Sequence, residues 1–178
     1  MTKEHLDVGL VQVYTGDGKG KTTAALGQSL RAIGRGLDVY MAQFIKGQET
    51  GELFAVAMLS PHLIIRQFGL GRFIIGRRPD DEELAMARHG WTELLEAMHS
   101  GQYDIIILDE ISHAVHLELI ELDHVLQAIK QRPRHIEMIL TGRNMPAAIL
   151  ETADLVTEMV AVKHPYDQGI RVRRGIEF

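Results

Sequence analysis

The sequence predicts a single α/β domain with a doubly wound, mostly parallel sheet and helices on both of its faces. Three observations lead to this fold class. Apolar segments rich in β-branched residues alternate along the chain with segments of helical periodicity. Several of the apolar segments are almost continuously apolar, as is typical of strands buried on both faces. The chain has 178 residues, which fits one domain spanning residues 1–178 and is short for two.

Six segments are predicted to be strands. They are residues 9–14, 37–44, 63–68, 103–108, 136–141 and 155–162. The fourth segment contains four consecutive aliphatic residues at positions 105–108. Such a run favours a strand of a parallel sheet over one with a solvated face.

Three longer segments, residues 21–35, 80–99 and 121–132, carry apolar side chains at helical spacing with Gly or Pro nearby. Two irregular segments, residues 46–52 and 69–79, follow the second and third strands. Loops beyond the carboxyl ends of parallel strands build the binding sites of α/β domains. Both segments are therefore candidate walls of a site.

Composition excludes several classes of protein. The net charge is −5, with acidic and basic residues well mixed, so we expect no nucleic-acid partner. The chain has no cysteine, which rules out disulfides, thiolate metal sites and thiol nucleophiles. No apolar run approaches the length of a membrane span. We therefore expect a cytoplasmic protein with no membrane partner.

The strongest motif is a glycine-rich loop between the first strand and the first helix. The residues expected to contact a nucleotide there are Gly16, Asp17, Gly18, Lys19, Gly20, Lys21, Thr22 and Thr23. Glycines allow several backbone N–H groups to converge on phosphate oxygens, and the helix amino terminus adds partial positive charge. Lys21 is expected to reach a phosphate and the Thr22 hydroxyl to coordinate Mg²⁺. The motif places the predicted domain among P-loop nucleotide-binding folds of the recombinase-like kind.

The loop departs from the usual pattern at its first glycine. That position is Thr15 here, Gly16 is displaced by one residue, and Lys19 adds a second lysine. The motif therefore supports nucleotide binding more firmly than it supports hydrolysis of the γ-phosphate.

A pair of carboxylates, Asp109 and Glu110, ends the fourth strand. A carboxylate at a strand end that faces a phosphate loop can hold Mg²⁺ directly or through water. Both residues are candidate metal-shell residues, together with Thr22, and the sequence leaves open which of the two carboxylates matters more.

Motifs along nearly the whole chain resemble the bacterial ATP:corrinoid adenosyltransferase family (cob(I)yrinic acid a,c-diamide adenosyltransferase). They are Val-Tyr-Thr-Gly-Asp-Gly-Lys-Gly-Lys-Thr-Thr-Ala-Ala at 13–25, Gln-Phe-Ile-Lys-Gly at 43–47, Leu-Asp-Glu at 108–110, Thr-Gly-Arg at 141–143, Ala-Asp-Leu-Val-Thr-Glu-Met at 153–159, Val-Lys-His-Pro-Tyr-Asp-Gln-Gly at 162–169 and Gly-Ile-Glu-Phe at 175–178. The displaced first glycine of the loop is itself a trait of this family.

The resemblance implies an unusual use of ATP. Enzymes of this family transfer the 5′-deoxyadenosyl group to a Co(I) corrinoid and release triphosphate, in the biosynthesis or salvage of adenosylcobalamin. ATP would lie reversed in the loop, with C5′ rather than the γ-phosphorus exposed. The implied requirements are ATP, Mg²⁺ or Mn²⁺, a corrinoid and an electron-donating flavoprotein reductase. A homodimer is also implied.

The resemblance also assigns roles to residues. Lys21, Thr22, Glu110 and Arg143 are the expected catalytic residues, which stabilise the departing triphosphate. Arg31, on the helix after the loop, is a candidate phosphate contact, although a solvated helix arginine is nearly as good an interpretation. Lys46 and Phe73 are expected in the walls of the site.

Two features depart from the family pattern. Many members carry a Gly-Phe-Thr-Trp segment whose aromatic side chains help to detach the lower ligand of cobalt, whereas this chain reads Gly-Arg-Phe-Ile at 71–74. Phe73 is therefore expected to lie against the lower side of the corrinoid, in a mobile loop at 69–79. Longer members also have an amino-terminal helix over the site, but the first strand is expected here by residue 8 or 9.

Two other functions remain open from the sequence. The phosphate loop and Leu-Asp-Glu alone suit a P-loop ATPase or kinase that splits the γ-phosphate. Loss of the family's aromatic pair suits an inactive carrier of corrinoid or nucleotide.

Overall fold

A six-stranded parallel sheet forms the centre of the fold. The computed structural model describes residues 5–72, 74 and 76–177. In chain order the elements are β1 (Val11–Thr15), α1 (Lys21–Ile33), β2 (Val39–Gln43), α2 (Gly51–Val56), β3 (Leu63–Gln67), α3 (Asp81–His99), β4 (Ile105–Asp109), α4 (Ile111–His116), α5 (Leu122–Gln131), β5 (Glu137–Thr141), α6 (Ala147–Thr152) and β6 (Leu155–Glu158), followed by a 3₁₀ turn at Pro165–Gln168. The predicted α/β class with a parallel sheet is confirmed.

The strand order is β3-β2-β4-β5-β1-β6, and every neighbouring pair is parallel. All carboxyl ends therefore lie at one edge of the sheet. β5 lies between β1 and β4, so a residue at the end of β5 can contact both the loop after β1 and the end of β4. This order brings together motifs that are far apart in the sequence.

The core consists of two apolar layers, one on each side of the sheet. All five residues of β2, β4 and β5 are buried. The nearly continuous apolar runs follow from this, because a strand covered by helices on both faces has no solvated side. β6, at the edge of the sheet, is exposed along its whole length.

The predicted helices 21–35, 80–99 and 121–132 correspond to α1, α3 and α5. The structure adds α2, α4 and α6, each of six residues. Helices this short span less than two turns, so they leave no periodic pattern in the sequence. β6 ends at Glu158, four residues before the predicted end of the sixth strand.

Within the described part of the chain, no helix combines the length and apolar character needed to cross a bilayer.

Candidate nucleotide and corrinoid site

The glycine-rich loop connects β1 to α1 and folds as a phosphate-binding loop requires. Gly16 and Gly20 have φ angles of 94° and 124°, a region that side chains with a Cβ rarely adopt. Gly18 lies so close to the segment after β6 that a Cβ would be 2.6 Å from the carbonyl oxygen of Met159. The Gly18 N–H donates to the same oxygen, at 2.6 Å. Backbone geometry and close packing therefore explain these three glycines.

Lys21, the first residue of α1, lies within the loop and is almost fully buried. Its ammonium donates to the carbonyl oxygens of Gly16, at 2.7 Å, and Gly18, at 2.8 Å. Burial lowers the pKa of Lys21, and nearby Arg143 lowers it further, while Glu110 opposes the shift. The ammonium is thus positioned where a phosphate oxygen, a stronger acceptor than a carbonyl, can compete for it.

Asp109, the last residue of β4, is fully buried and has four partners. Its Oδ1 accepts hydrogen bonds from the hydroxyls of Thr22 and Thr141, both at 2.8 Å. Its Oδ2 accepts from Gln43 Nε2 at 3.1 Å and lies 3.2 Å from Lys46 Nζ. Asp109 therefore joins the ends of β2, β4 and β5 to the first turn of α1.

Glu110, which follows Asp109, has left-handed backbone angles of φ 57° and ψ 30°. This conformation costs a non-glycine residue on the order of 1–3 kcal/mol, and such outliers cluster at functional sites. The Glu110 N–H donates to Thr141 Oγ1 at 2.9 Å. Its carboxylate faces a cavity with Lys21 and Thr22 and has no hydrogen bond to any other described residue. Burial raises the pKa of Glu110, and the neighbouring Asp109 raises it further.

Lys46, just after β2, contacts Asp109 from the side of α2. Its ammonium contacts Glu52 Oε1 at 3.1 Å in addition to Asp109. Burial alone would lower the pKa of Lys46, but the carboxylates of Asp109 and Glu52 outweigh this effect and raise it. Lys46 therefore stays protonated, and it links Asp109 at the end of β4 to Glu52 of α2.

A polar cavity of about 490 Å³ opens above the phosphate loop. It is lined by residues 18–23 of the loop and first turn of α1, by Leu26, Lys46, Gly51, Glu52, Glu110, Arg143 and His164, and by residues 175–177 near the carboxyl terminus. Lys19, Lys21, Lys46 and Arg143 give the lining positive charge, and Glu52 and Glu110 give it negative charge. Such a cavity can hold a polyphosphate together with a cation.

A second cavity of about 590 Å³ adjoins the first and is mainly apolar. Its apolar wall is formed by Phe44, Ile45, Phe68, Leu70, Ile74, Leu117 and Leu119. Lys46 and Glu177 line both cavities. A flat apolar ligand in the second cavity would therefore lie next to a nucleotide in the first.

The sequence matches a known protein family over nearly its whole length. The model of the family ATP:corrinoid adenosyltransferase BtuR/CobO/CobP matches residues 7–178. The chain belongs to this family.

Individual relatives agree with the family match. The corrinoid adenosyltransferase of Escherichia coli (strain K12) is 36% identical over 171 residues, which cover 96% of this chain and 86% of the relative. The corrinoid adenosyltransferase of Pseudomonas aeruginosa is 34% identical over 171 residues and is covered to 84%. Among solved structures, the flagellar accessory protein FlaH from Methanocaldococcus jannaschii is similar with a TM-score of 0.56 and 16% identity, over 86% of this chain and 72% of FlaH. This last likeness concerns the fold alone.

Family membership confirms the resemblance found in the sequence and the predicted P-loop α/β fold. The structure of this adenosyltransferase family member also shows which predicted residues meet at one site. Lys21, Thr22, Asp109, Glu110, Arg143 and Lys46 come together around the polar cavity, and Lys19, Gly20 and Thr23 line it as well. Asp17 is exposed, and its charge raises the pKa of Lys21.

Arg31 is not brought to the site, so the prediction of a phosphate contact there is not supported. It lies in the last turn of α1, ten residues from Lys21 and therefore about 15 Å along the helix axis. Its charge acts on Tyr14 of β1, and it does not line either cavity. The helix carries Arg31 away from the carboxyl edge of the sheet, so its solvated interpretation is the better one.

Phe73 lies outside the described residues, and its expected place against a corrinoid stays a prediction. The described residues on either side of Phe73 contact the segment after β2 and α3. Gly69 donates its N–H to the Lys46 carbonyl at 2.9 Å, and Arg72 pairs with Glu82 at 2.6 Å. Arg77 pairs with Glu83 at 2.6 Å. These arginines are therefore engaged by α3.

Among the site residues that the sequence did not indicate, three lie at the centre of the hydrogen-bond network. Gln43, Glu52 and Thr141 contact Asp109 or Lys46 directly. Thr141 belongs to the Thr-Gly-Arg motif, and Gln43 begins Gln-Phe-Ile-Lys-Gly, so the motifs pointed to their segments without giving their roles. Among the residues described, no group of three histidine or acidic side chains is arranged to hold a metal ion by itself.

Proposed function

We propose that this chain transfers the 5′-deoxyadenosyl group of ATP to the Co(I) centre of a corrinoid and releases triphosphate. The observation that carries the proposal is the pair of adjoining cavities, one polar at the phosphate loop and one apolar, with Lys46 and Glu177 in their common wall. Family membership supports the same reaction. In it a cobalt–C5′ bond forms while the bond from C5′ to the triphosphate oxygen breaks.

The triphosphate is proposed to bind at the phosphate loop. Lys21 would exchange its two carbonyl acceptors for phosphate oxygens, and Lys19 and Arg143 would add positive charge from the two sides of the cavity. Charge-assisted contacts of this kind are about twice as strong as neutral hydrogen bonds. They serve catalysis because the leaving triphosphate gains charge as the bond to C5′ breaks.

The residues present fit a magnesium ion that accompanies the triphosphate. Glu110 offers a carboxylate that makes no hydrogen bond to another described residue, and Thr22 lines the same cavity. Mg²⁺ is usually held by one or two carboxylates and by substrate phosphates, so a complete set of protein ligands is not required. When bound, the ion neutralises part of the phosphate charge. We assign contact with the ion to Glu110 and Thr22, and assign to Asp109 the orientation of Thr22.

No general base is required of the protein, because Co(I) is already a strong nucleophile. The contribution of the chain is to place C5′ and cobalt next to each other, with water kept out of the space between them. The aromatic and aliphatic wall around Phe44, Phe68 and Leu119 provides the apolar surface for the corrin ring.

We propose that both cob(I)yrinic acid a,c-diamide and cob(I)alamin are acceptors, since the ring that the apolar wall would contact is common to them. The chain contains no cysteine, so no thiol of its own can deliver electrons, and we assign reduction of cobalt to a separate flavoprotein reductase in the cytoplasm. A homodimer is the proposed assembly. The exposed apolar residues Leu155 and Val156 on β6 favour it, and sedimentation analysis tests it.

The function is tested by incubating the chain with MgATP and cob(I)alamin prepared with a chemical reductant. We expect the absorbance of Co(I) to disappear and a photolabile adenosylated corrinoid to form, with no product in the absence of ATP. ADP and phosphate formed without an adenosylated corrinoid would indicate the alternative ATPase or kinase. Binding of both ligands without any turnover would indicate the inactive carrier.

A further inference from the structure

A turn near the carboxyl terminus contacts the phosphate loop. The Lys19 ammonium donates a hydrogen bond to the carbonyl oxygen of Ile176 and lies 3.3 Å from Glu177 Oε1. The same carboxylate is held from within the turn, because the Arg173 guanidinium and the Arg173 N–H donate to it at 3.0 and 2.7 Å. We call residues 173–177 the C-terminal turn.

The C-terminal turn lies at the opening of the proposed nucleotide site. Gly175, Ile176 and Glu177 line the polar cavity together with the phosphate loop. Glu177 also lines the apolar cavity. The Glu177 carboxylate therefore lies next to Lys19, the exposed lysine of the loop, which an incoming phosphate can reach from solution.

The charges of this contact are suited to exchange with an anion. The hydrogen bond from Arg173 lowers the pKa of Glu177 to about 2, so the carboxylate is ionised at neutral pH. The side chain of Lys19 is 44% exposed, and all the residues of the C-terminal turn are exposed. Exposed ion pairs contribute little to stability. A triphosphate, which carries several charges, is the stronger partner for Lys19.

We propose that the C-terminal turn is a displaceable counter-anion for the phosphate loop, in which Glu177 neutralises Lys19 until a triphosphate takes its place. This inference rests on the nucleotide site of the proposed function. On binding, the phosphates of ATP take over Lys19 and the turn moves aside. After adenosyl transfer, Glu177 competes with the triphosphate product for the same ammonium and promotes its release.

The test is the affinity of Glu177→Gln for MgATP and for inorganic tripolyphosphate, measured by isothermal titration calorimetry. Removing the competing charge should lower both dissociation constants by about two- to fivefold, the effect of one exposed ion pair. Glu151→Gln, which removes an exposed carboxylate on α6, is the matched control and should leave both constants unchanged. Equal melting temperatures verify that the variants are folded.

A second background shows whether the effect acts through Lys19. In Lys19→Gln, which itself weakens binding, the further change Glu177→Gln should have no effect. Equal tightening in both backgrounds would overturn the proposal, as would unchanged or weaker binding in Glu177→Gln alone. Because the readout is binding, a chain that binds MgATP but forms no adenosylated corrinoid would refute the proposed function without affecting this measurement.

Discussion

The two neighbouring carboxylates at the end of β4 should respond in opposite ways to neutralisation. Asp109 is fully buried and has four polar partners, among them the Lys46 ammonium at 3.2 Å. In Asp109→Asn the uncharged amide cannot form an ion pair with Lys46, and its NH₂ group takes a position that now accepts hydrogen bonds. Removing one partner of a buried ion pair costs about 3–5 kcal/mol. Because the side chain of Lys46 is 28% exposed, we expect a smaller loss of about 2–3 kcal/mol, which lowers the melting temperature by about 4–12 °C in a domain of this size.

Glu110→Gln should not destabilise the metal-free protein. The pKa of Glu110 is raised by burial and by Asp109, so its ionised form is less favourable in the folded chain than in the unfolded chain. The wild type therefore loses stability as the pH rises from the ordinary glutamate value of 4.5 to the raised pKa, and the variant lacks this loss. At pH 7.5 without divalent ions, its melting temperature should equal or exceed that of the wild type.

Thermal denaturation of both variants at pH 5 and pH 7.5, with and without Mg²⁺, is the assay. Glu110→Gln should also raise the Mg²⁺ concentration for half-maximal adenosyl transfer by about tenfold or more, the scale found when a residue supporting a metal site is lost. The reasoning would be refuted if Asp109→Asn melted like the wild type. An equal loss of stability in Glu110→Gln without Mg²⁺ would refute it as well.

Two further substitutions in the loop, each paired with a control substitution in α1, test the site. Lys21→Ala should raise the dissociation constant of MgATP by about 10- to 100-fold, the value of one charge-assisted contact. Arg31→Ala, at the far end of α1, should leave the constant unchanged. Equal losses of affinity in the two variants, measured by calorimetry, would contradict the placement of the site. Gly18→Ala should lower the melting temperature and weaken MgATP binding, because its Cβ would lie 2.6 Å from the Met159 oxygen, an overpacking that costs about 1–3 kcal/mol. Gly27→Ala in α1 is the control for Gly18→Ala, because no heavy atom lies within 4 Å of the new Cβ. It should raise the free energy of unfolding by about 0.5–1 kcal/mol. If Gly18→Ala were as stable as the wild type and bound MgATP fully, the loop would be able to shift.

Local patterns were enough to predict the order of the strands along the chain and the position of the phosphate loop. The continuous apolar run at 105–108 predicted β4. The glycines of the loop have backbone angles and close contacts that only glycine allows. The motif pair of phosphate loop and Leu-Asp-Glu also indicated Thr22 and Asp109, which the structure joins by a 2.8 Å hydrogen bond.

The remaining features depend on contacts between distant parts of the chain. Thr141 contacts Asp109 because β5 lies next to β4 in the sheet. Local periodicity does not determine the order of strands in a sheet, so this contact could not be predicted. Asp109 and Glu110 have different surroundings because Glu110 adopts a left-handed backbone conformation directly after β4. No feature of the sequence predicted that conformation. Lys19 and Glu177 are separated by 158 residues, and no pattern at either position indicated their contact. The helical rise from Lys21 to Arg31 would have been enough to place Arg31 away from the loop.

The identity of the phosphate product tests the central claim most directly. Phosphorus NMR of a reaction containing the chain, MgATP and cob(I)alamin distinguishes triphosphate from ADP with phosphate and from pyrophosphate. We predict intact triphosphate, formed in a one-to-one ratio with the adenosylated corrinoid. ADP with phosphate as the products, or triphosphate formed without an adenosylated corrinoid, would contradict adenosyl transfer as the function of this chain.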